Sequence, residues 1–405
     1  MHNQEKPNLI LHLGTENTGT TAIQGFLRIN SQKYLKKNII IPDFLGWNNH
    51  SILPCIFYSE GRNDEMTLSH GICDPILRAE KKREIISKLK KLTEKHCRGL
   101  FIISSEHLQS RLSDSEVKNL ADSLYSMFNS IRLIIYFRKP IDLSISHLST
   151  IIKWNNHLRC ELPPPESPYI VKLCSHKQTV ECWGRVFGSS NLSARLYEKS
   201  KLIDNDVVQD FLVTSGIRSG FGYEKPTLTN PRLNVIGMKL MCEVNKRLPR
   251  IINGNFNPRH VGLVSYFEEF FSGPPLFIPS WQDQISYHKY FLESDNFIRD
   301  RYFEDLDSIW YKDLDCAIKN RIRFRFVRKF LVAIKLHFWR RLIHPDRALL
   351  DIKEGILVNL LLELIIKSWG DSRERILHLE SKINSKNIEI AALKNQIKSN
   401  DIHSW

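Results

Sequence analysis

Three groups of residues in this chain have the types and spacing that chemistry needs. The first is Gly14-Thr15-Glu16-Asn17-Thr18-Gly19-Thr20-Thr21, two glycines five apart followed by two hydroxyls. Glycines let a backbone fold around an anion, and a helix starting at Thr20-Thr21 aims its unpaired N–H groups at it. The second group is Ser104-Ser105-Glu106-His107, a polar cluster closing an apolar run. A glutamate or histidine there suits a general base that takes a proton from an acceptor hydroxyl. His50, in the loop Gly46-Trp47-Asn48-Asn49-His50, is a further candidate for that role. The third group is Arg138-Lys139-Pro140-Ile141-Asp142-Leu143-Ser144-Ile145-Ser146, where an arginine fork and a hydroxyl make a phosphate clamp. Each has a plainer reading: a strand-turn-helix with incidental glycines, a Glu106 that caps the next helix or pairs with a basic side chain, and a loop histidine without chemistry.

Short apolar runs precede these groups and must position them. Leu9 to Leu13, Asn38 to Pro42, the stretch from Gly99, Ile131 to Arg138 and Asn191 to Glu198 read as five strands. Between them lie helical patterns: Ile23, Phe26 and Leu27 after the first loop, and Ile85, Ile86, Leu89 and Leu92 in a basic surface segment. Tyr169 to Phe187 reads as one helix with Trp183 and Phe187 on its apolar side. Further helices are expected over Val207 to Leu212, Asn230 to Arg247 and around Phe291, with loop over residues 251–280. Strands alternating with helices predict an α/β fold on a parallel sheet, whose ligand crevice lies beyond the carboxyl ends of the strands.

Nucleotide-triphosphate loops end Gly-Lys-Ser/Thr. Here Thr20 stands where that lysine would be, so nothing reaches for a γ-phosphate. Gly14-x-x-x-x-Gly19-Thr20-Thr21 resembles instead the 5′-phosphosulfate loop of sulfotransferases, which use 3′-phosphoadenosine 5′-phosphosulfate (PAPS). Arg138-x-Pro140-x-Asp142-x-x-x-Ser146 resembles their 3′-phosphate segment, and Ser104-Ser105-Glu106 resembles a run in bacterial members. The resemblance covers residues 8–310. It implies a P-loop parallel sheet flanked by helices, PAPS as sulfate donor and no metal. The 5′-phosphosulfate would lie on the backbone of Gly14, Thr15, Glu16, Asn17, Thr18 and Gly19 and on the Thr20 and Thr21 hydroxyls. Arg138 and Ser146 would hold the 3′-phosphate, and Glu106, His50 or His107 would deprotonate the acceptor. Asn17 departs from the pattern, because the family's loop has a lysine there. An amide donates a hydrogen bond but carries no charge, so a lysine at this position is expected to raise the rate of transfer.

The totals agree with anionic ligands. The chain has 405 residues and a formal charge of +14, which fits phosphate- or sulfate-bearing ligands, anionic polysaccharide or an acidic membrane surface. Zinc-finger spacing and RNP-type motifs are missing, so nucleic acid is not expected. Eight cysteines without a Cys-x-x-Cys read as reduced thiols. With no signal-peptide pattern and no run of ~18–20 apolar residues, a cytoplasmic enzyme is expected.

After residue 310 the composition shifts. Residues 311–370 interleave arginine and lysine with aromatic and aliphatic residues, which suits either a peripheral membrane contact or a helix docked on the enzyme. Within residues 371–405, Ile376, Leu379, Ile383, Ile390, Leu393 and Ile397 follow a heptad. That helical C-terminal extension, ending in a short coiled-coil-like helix, would pair two chains as a homodimer or fold back on the enzyme. The acceptor is expected to carry a free hydroxyl on a carbohydrate, glycolipid or small metabolite. The alternatives are another P-loop enzyme such as a small-molecule kinase, or a non-catalytic relative that binds the nucleotide or a glycan.

Overall fold

The apolar runs form five parallel strands. They are β1 (Asn8–Gly14), β2 (Ile39–Ile40), β3 (Leu100–Ser104), β4 (Ser130–Phe137) and β5 (Leu192–Leu196), in the order β2-β3-β1-β4-β5. This computed structural model describes residues 5–46, 49–217, 223–224, 231–260, 262–274, 276–306 and 309–310. The expectations for residues 311–370 and 371–405 lie outside the described residues.

The strands read as nearly continuous apolar runs, interrupted at His12 and Arg132, because both faces of the sheet are covered. Alternate side chains go to opposite faces. Leu9, Leu11 and Leu13 of β1 join Phe101, Ile103, Leu133, Ile135 and Phe137 in one core. Ile10, Ile102, Ile134 and Tyr136 enter the other. Helices Pro75–Lys95, Asp114–Tyr125, His176–Phe187 and Trp281–Tyr302 supply Leu89, Leu120, Trp183 and Ile298 to the first core. On the second face lie α1 (Thr20–Ile29), through Ile23, Phe26 and Leu27, and helix Val207–Ser215, through Phe211 and Leu212.

One helical expectation changes. Tyr169 to Phe187 is not one helix but two, Pro168–Cys174 and His176–Phe187, broken at Ser175 with ψ 85°. The break brings His176 against Phe137 and lets its Nε2 donate to the Arg138 carbonyl at 2.9 Å. The helix after β4, α2 (Pro140–Trp154), opens at Pro140. Proline's fixed φ and missing N–H suit a first helical position.

The chain divides into two compact units. Among the described residues the first holds 5–151, 160–235 and 272–310, and the second holds 152–159 and 236–271. Residues 251–280, expected as loop, contain a hairpin (Ile251–Ile252 with Asn255–Phe256) and helix Leu263–Phe270. Tertiary bonds override the loop-like composition. Within the second unit buried Lys153 pairs with Glu268 at 2.8 Å, and Asn245 donates to the carbonyls of Ile152 and His157.

Gly14 closes β1 at a φ of +75°. A Cβ there would come 2.5 Å from the Glu106 Cα, so the end of β1 and the chain leaving β3 are in direct backbone contact. Gly14→Ala combines a left-handed penalty with overpacking and is expected to destabilise the protein by about 2 to 5 kcal/mol. Urea midpoints of the two forms test this, and equal midpoints would contradict so tight an approach.

Candidate active site

The loop between β1 and α1 is held from inside. Thr15 Oγ1 donates to the Tyr136 carbonyl at 2.8 Å, and Thr18 Oγ1 donates to the Thr15 carbonyl at 2.7 Å. Both side chains are fully buried, so these hydroxyls fix the loop and leave its backbone for a ligand. Gly19, at φ +79°, is the residue before α1. Its missing side chain makes room for Tyr197 and Val207, each of which a Cβ would approach to 2.9 Å. α1 therefore presents its N-terminus, with Thr20 and Thr21, to a cleft of about 390 Å³. That cleft is lined by residues of the loop together with Glu106, His107, Arg138 and Ser146. Members of all three groups singled out in the sequence thus share one lining, while Gly14, Thr15, Thr18 and His50 stand outside it.

Arg138 lies just beyond β4. Its Nη1 donates to the Asn17 carbonyl at 2.8 Å, and its guanidinium sits 5.7 Å from the centre of the Tyr197 ring. Burial and the neighbouring Arg232 pull Arg138 below the usual arginine value, against the opposing pull of Asp142 and Tyr197. Ser146, on α2, donates to Asn17 Oδ1 at 3.1 Å.

Glu106 stands at the N-cap of the short helix His107–Arg111 but makes no capping bond. Its Oε2 accepts from Gln24 Nε2 at 2.8 Å, and its Oε1 faces Asn49 Nδ2 at 3.5 Å and His107 Nε2 at 3.9 Å. The carboxylate is thus oriented by α1 rather than consumed by helix capping. His50 takes a different place. It is buried, accepts from the Ser104 N–H at 3.0 Å, and burial lowers its pKa to about 4. It is outside the lining of the cleft and secures the end of β3.

Glu16 lines the cleft, but its carboxylate is engaged on the protein side. Tyr169 donates to it at 3.1 Å, and His147 Nδ1 lies 3.2 Å away. His107 Nδ1 and Arg111 Nε stand at ion-pair distances of 3.8 and 3.9 Å. Burial alone would raise the Glu16 pKa; the two histidines and Arg111 outweigh it and hold the carboxyl well below the usual value of 4.5. For His107 burial works downward, yet Glu16 and Glu106 on either side raise it above 6.5, with Arg111 opposing.

Several cleft residues escape sequence reasoning. Thr150 lines the cleft four residues after Ser146, a spacing that puts both on one helix face and could have revealed it. Tyr197 follows β5 as Arg138 follows β4, so its place beyond a strand end was a usable signal. Gln24 and Asn49, which meet Glu106, and His147 and Tyr169, which meet Glu16, stand outside the lining and carry no local signal. Among the described residues no group of three or more His, Cys, Asp or Glu could hold a metal ion, and no helix is long and apolar enough to cross a membrane.

No family model matches the chain, and no curated protein matches it. Among solved structures, a sulfotransferase from Alicyclobacillus acidocaldarius is similar at 18% identity with a TM-score of 0.35, over 56% of this chain and 87% of that one.

The cluster around His107 sets a pH dependence. Its raised pKa makes a stabilising contribution that is complete below the ordinary histidine value of 6.5 and is lost as pH rises through the folded value. Glu16 acts in the opposite range, contributing above the ordinary 4.5 and losing that contribution as pH falls through its depressed value. The gap in urea midpoint between wild type and His107→Gln should therefore narrow as pH rises above the ordinary histidine value of 6.5. A constant or widening gap would remove the imidazolium from the cluster.

Proposed function

We propose that this chain is a PAPS-dependent sulfotransferase acting on the hydroxyl of a carbohydrate, glycolipid or small metabolite. One observation carries the reading: a glycine-bounded helix N-terminus and the Arg138–Ser146 clamp, at the ends of adjacent strands, line the same cleft as Glu106. Two separate anion-holding groups fit a nucleotide phosphorylated at both the 5′ and the 3′ position. A single triphosphate chain would call for a lysine at position 20, where the chain has threonine.

The donor set suits that ligand. The α1 N–H groups and the Thr20 and Thr21 hydroxyls would hold the 5′ end, while Arg138 and Ser146 would hold the 3′-phosphate with charge-assisted bonds. Bound PAPS would supply an activated sulfuryl group. Glu106 is placed to accept the acceptor's hydroxyl proton, with Gln24 fixing one carboxylate oxygen and leaving the other toward Asn49 and His107. His107 stands between that carboxylate and Glu16, at 3.9 and 3.8 Å. Asn17 favours a second reading, nucleotide binding without transfer, since the loop lacks the charge that lysine would bring.

Arg138→Ala tests the proposal. It should weaken 3′-phosphoadenosine 5′-phosphate by about 1.5 to 3 kcal/mol, roughly ten- to hundredfold, and adenosine 5′-phosphate far less. Calorimetric titration of both nucleotides reads the difference, and an equal loss for the two would take Arg138 out of a 3′-phosphate site.

A further inference from the structure

Asn17 receives more bonds from the opposite wall of the cleft than any loop residue beside it. Its backbone carbonyl accepts from Arg138 Nη1 at 2.8 Å. Its side-chain Oδ1 accepts from Ser146 Oγ at 3.1 Å and from Thr150 Oγ1 at 3.3 Å. These partners come from the end of β4 and from α2, while Asn17 belongs to the loop after β1. All four residues line the cleft. We propose that Asn17 is a positioning residue that ties the 5′ loop to the 3′ clamp, and that Thr150 is a third member of that clamp. This rests on the nucleotide reading above.

Residue chemistry explains why asparagine occupies the position. Its φ is +63°, in the left-handed region where asparagine is enriched among residues with side chains. The amide oxygen can accept two hydroxyl bonds without placing a negative charge in an anion site. A lysine would keep the backbone carbonyl for Arg138 but has donors only, so the Ser146 and Thr150 protons would lose their shared acceptor. Asn17→Lys, expected on the loop pattern alone to raise the rate, would on this reading also undo the hydroxyl arrangement of the clamp.

The bonds also define what Asn17 does before a ligand arrives. A hydroxyl has one proton: Ser146 gives its own to Asn17, while Thr150 divides its own between Asn17 Oδ1 and the Ser146 carbonyl, each at 3.3 Å. A 3′-phosphate would then draw on hydroxyls that these bonds already orient. Arg138 needs no such exchange: one of its five N–H groups stays on the Asn17 carbonyl and the others remain for the phosphate. Loop and clamp are therefore ordered together, and the two ends of the nucleotide are coupled through Asn17.

Asn17→Gly is the sharpest test, because glycine keeps the positive φ and the backbone carbonyl while deleting Oδ1. The readout is the affinity ratio of 3′-phosphoadenosine 5′-phosphate to adenosine 5′-phosphate, titrated calorimetrically on the full chain. The ratio should fall about fivefold, the lower range of coupling between sites, with adenosine 5′-phosphate binding nearly unchanged. Thr150→Val, which leaves the loop intact, should lower the same ratio by itself and add little on top of Asn17→Gly. An unchanged or increased ratio in both single variants, or full additivity, overturns the proposal while leaving the nucleotide reading in place. A wild-type protein with no preference for the 3′-phosphorylated nucleotide overturns both.

Discussion

The cleft depends on β1 being hydrogen-bonded between β3 and β4 in one parallel sheet. A parallel neighbour brings carboxyl ends together, so the loop after β1, Glu106 after β3 and Arg138 after β4 emerge on the same side. Two local features tighten the arrangement. Gly14 lets the end of β1 touch the backbone at Glu106, and Thr15 fastens the loop to the Tyr136 carbonyl of β4. The chemistry-bearing side chains are thus fixed by main-chain contacts, which are stiffer than any bond between surface side chains.

A second constraint is electrostatic. An anion-binding loop that includes Glu16 would repel its own ligand if that charge faced outward. Instead the carboxylate is turned toward Tyr169, His147, His107 and Arg111, which neutralise it and order the segments they come from. The same His107 links Glu16 to Glu106, so the wall that carries the candidate base and the loop that would hold the nucleotide belong to one charge network. Around Asn17 a neutral version of this device operates, an amide oxygen gathering hydroxyls. The loop therefore gains its order without adding negative charge to the cleft.

Strands and loop were legible in the sequence for a physical reason. Double-sided burial makes β1, β3 and β4 nearly continuous apolar runs, and the glycine spacing of the loop follows from two positive φ values at Gly14 and Gly19. Arg138 and Glu106 were legible because each directly follows such a run. What stayed hidden depends on long-range contacts. Tyr169 meets Glu16 across 153 positions, and Gln24 meets Glu106 across 82, with no local pattern to announce either. His50 shows the converse: its loop looked open, but its ring is buried against the Ser104 N–H. Composition also misled at residues 251–280, where glycine, asparagine and proline mark tight turns inside structure rather than an unstructured stretch.

The most direct measurement is titration calorimetry of the wild-type chain with 3′-phosphoadenosine 5′-phosphate beside ATP with magnesium. On the proposed reading, in which the loop and the Arg138–Ser146 clamp hold the 5′ and 3′ ends and threonine stands at position 20, the chain should bind the 3′-phosphorylated nucleotide and discriminate strongly against ATP. Binding of ATP with magnesium, and none of 3′-phosphoadenosine 5′-phosphate, would contradict the assignment of the clamp and with it the whole reading of the cleft.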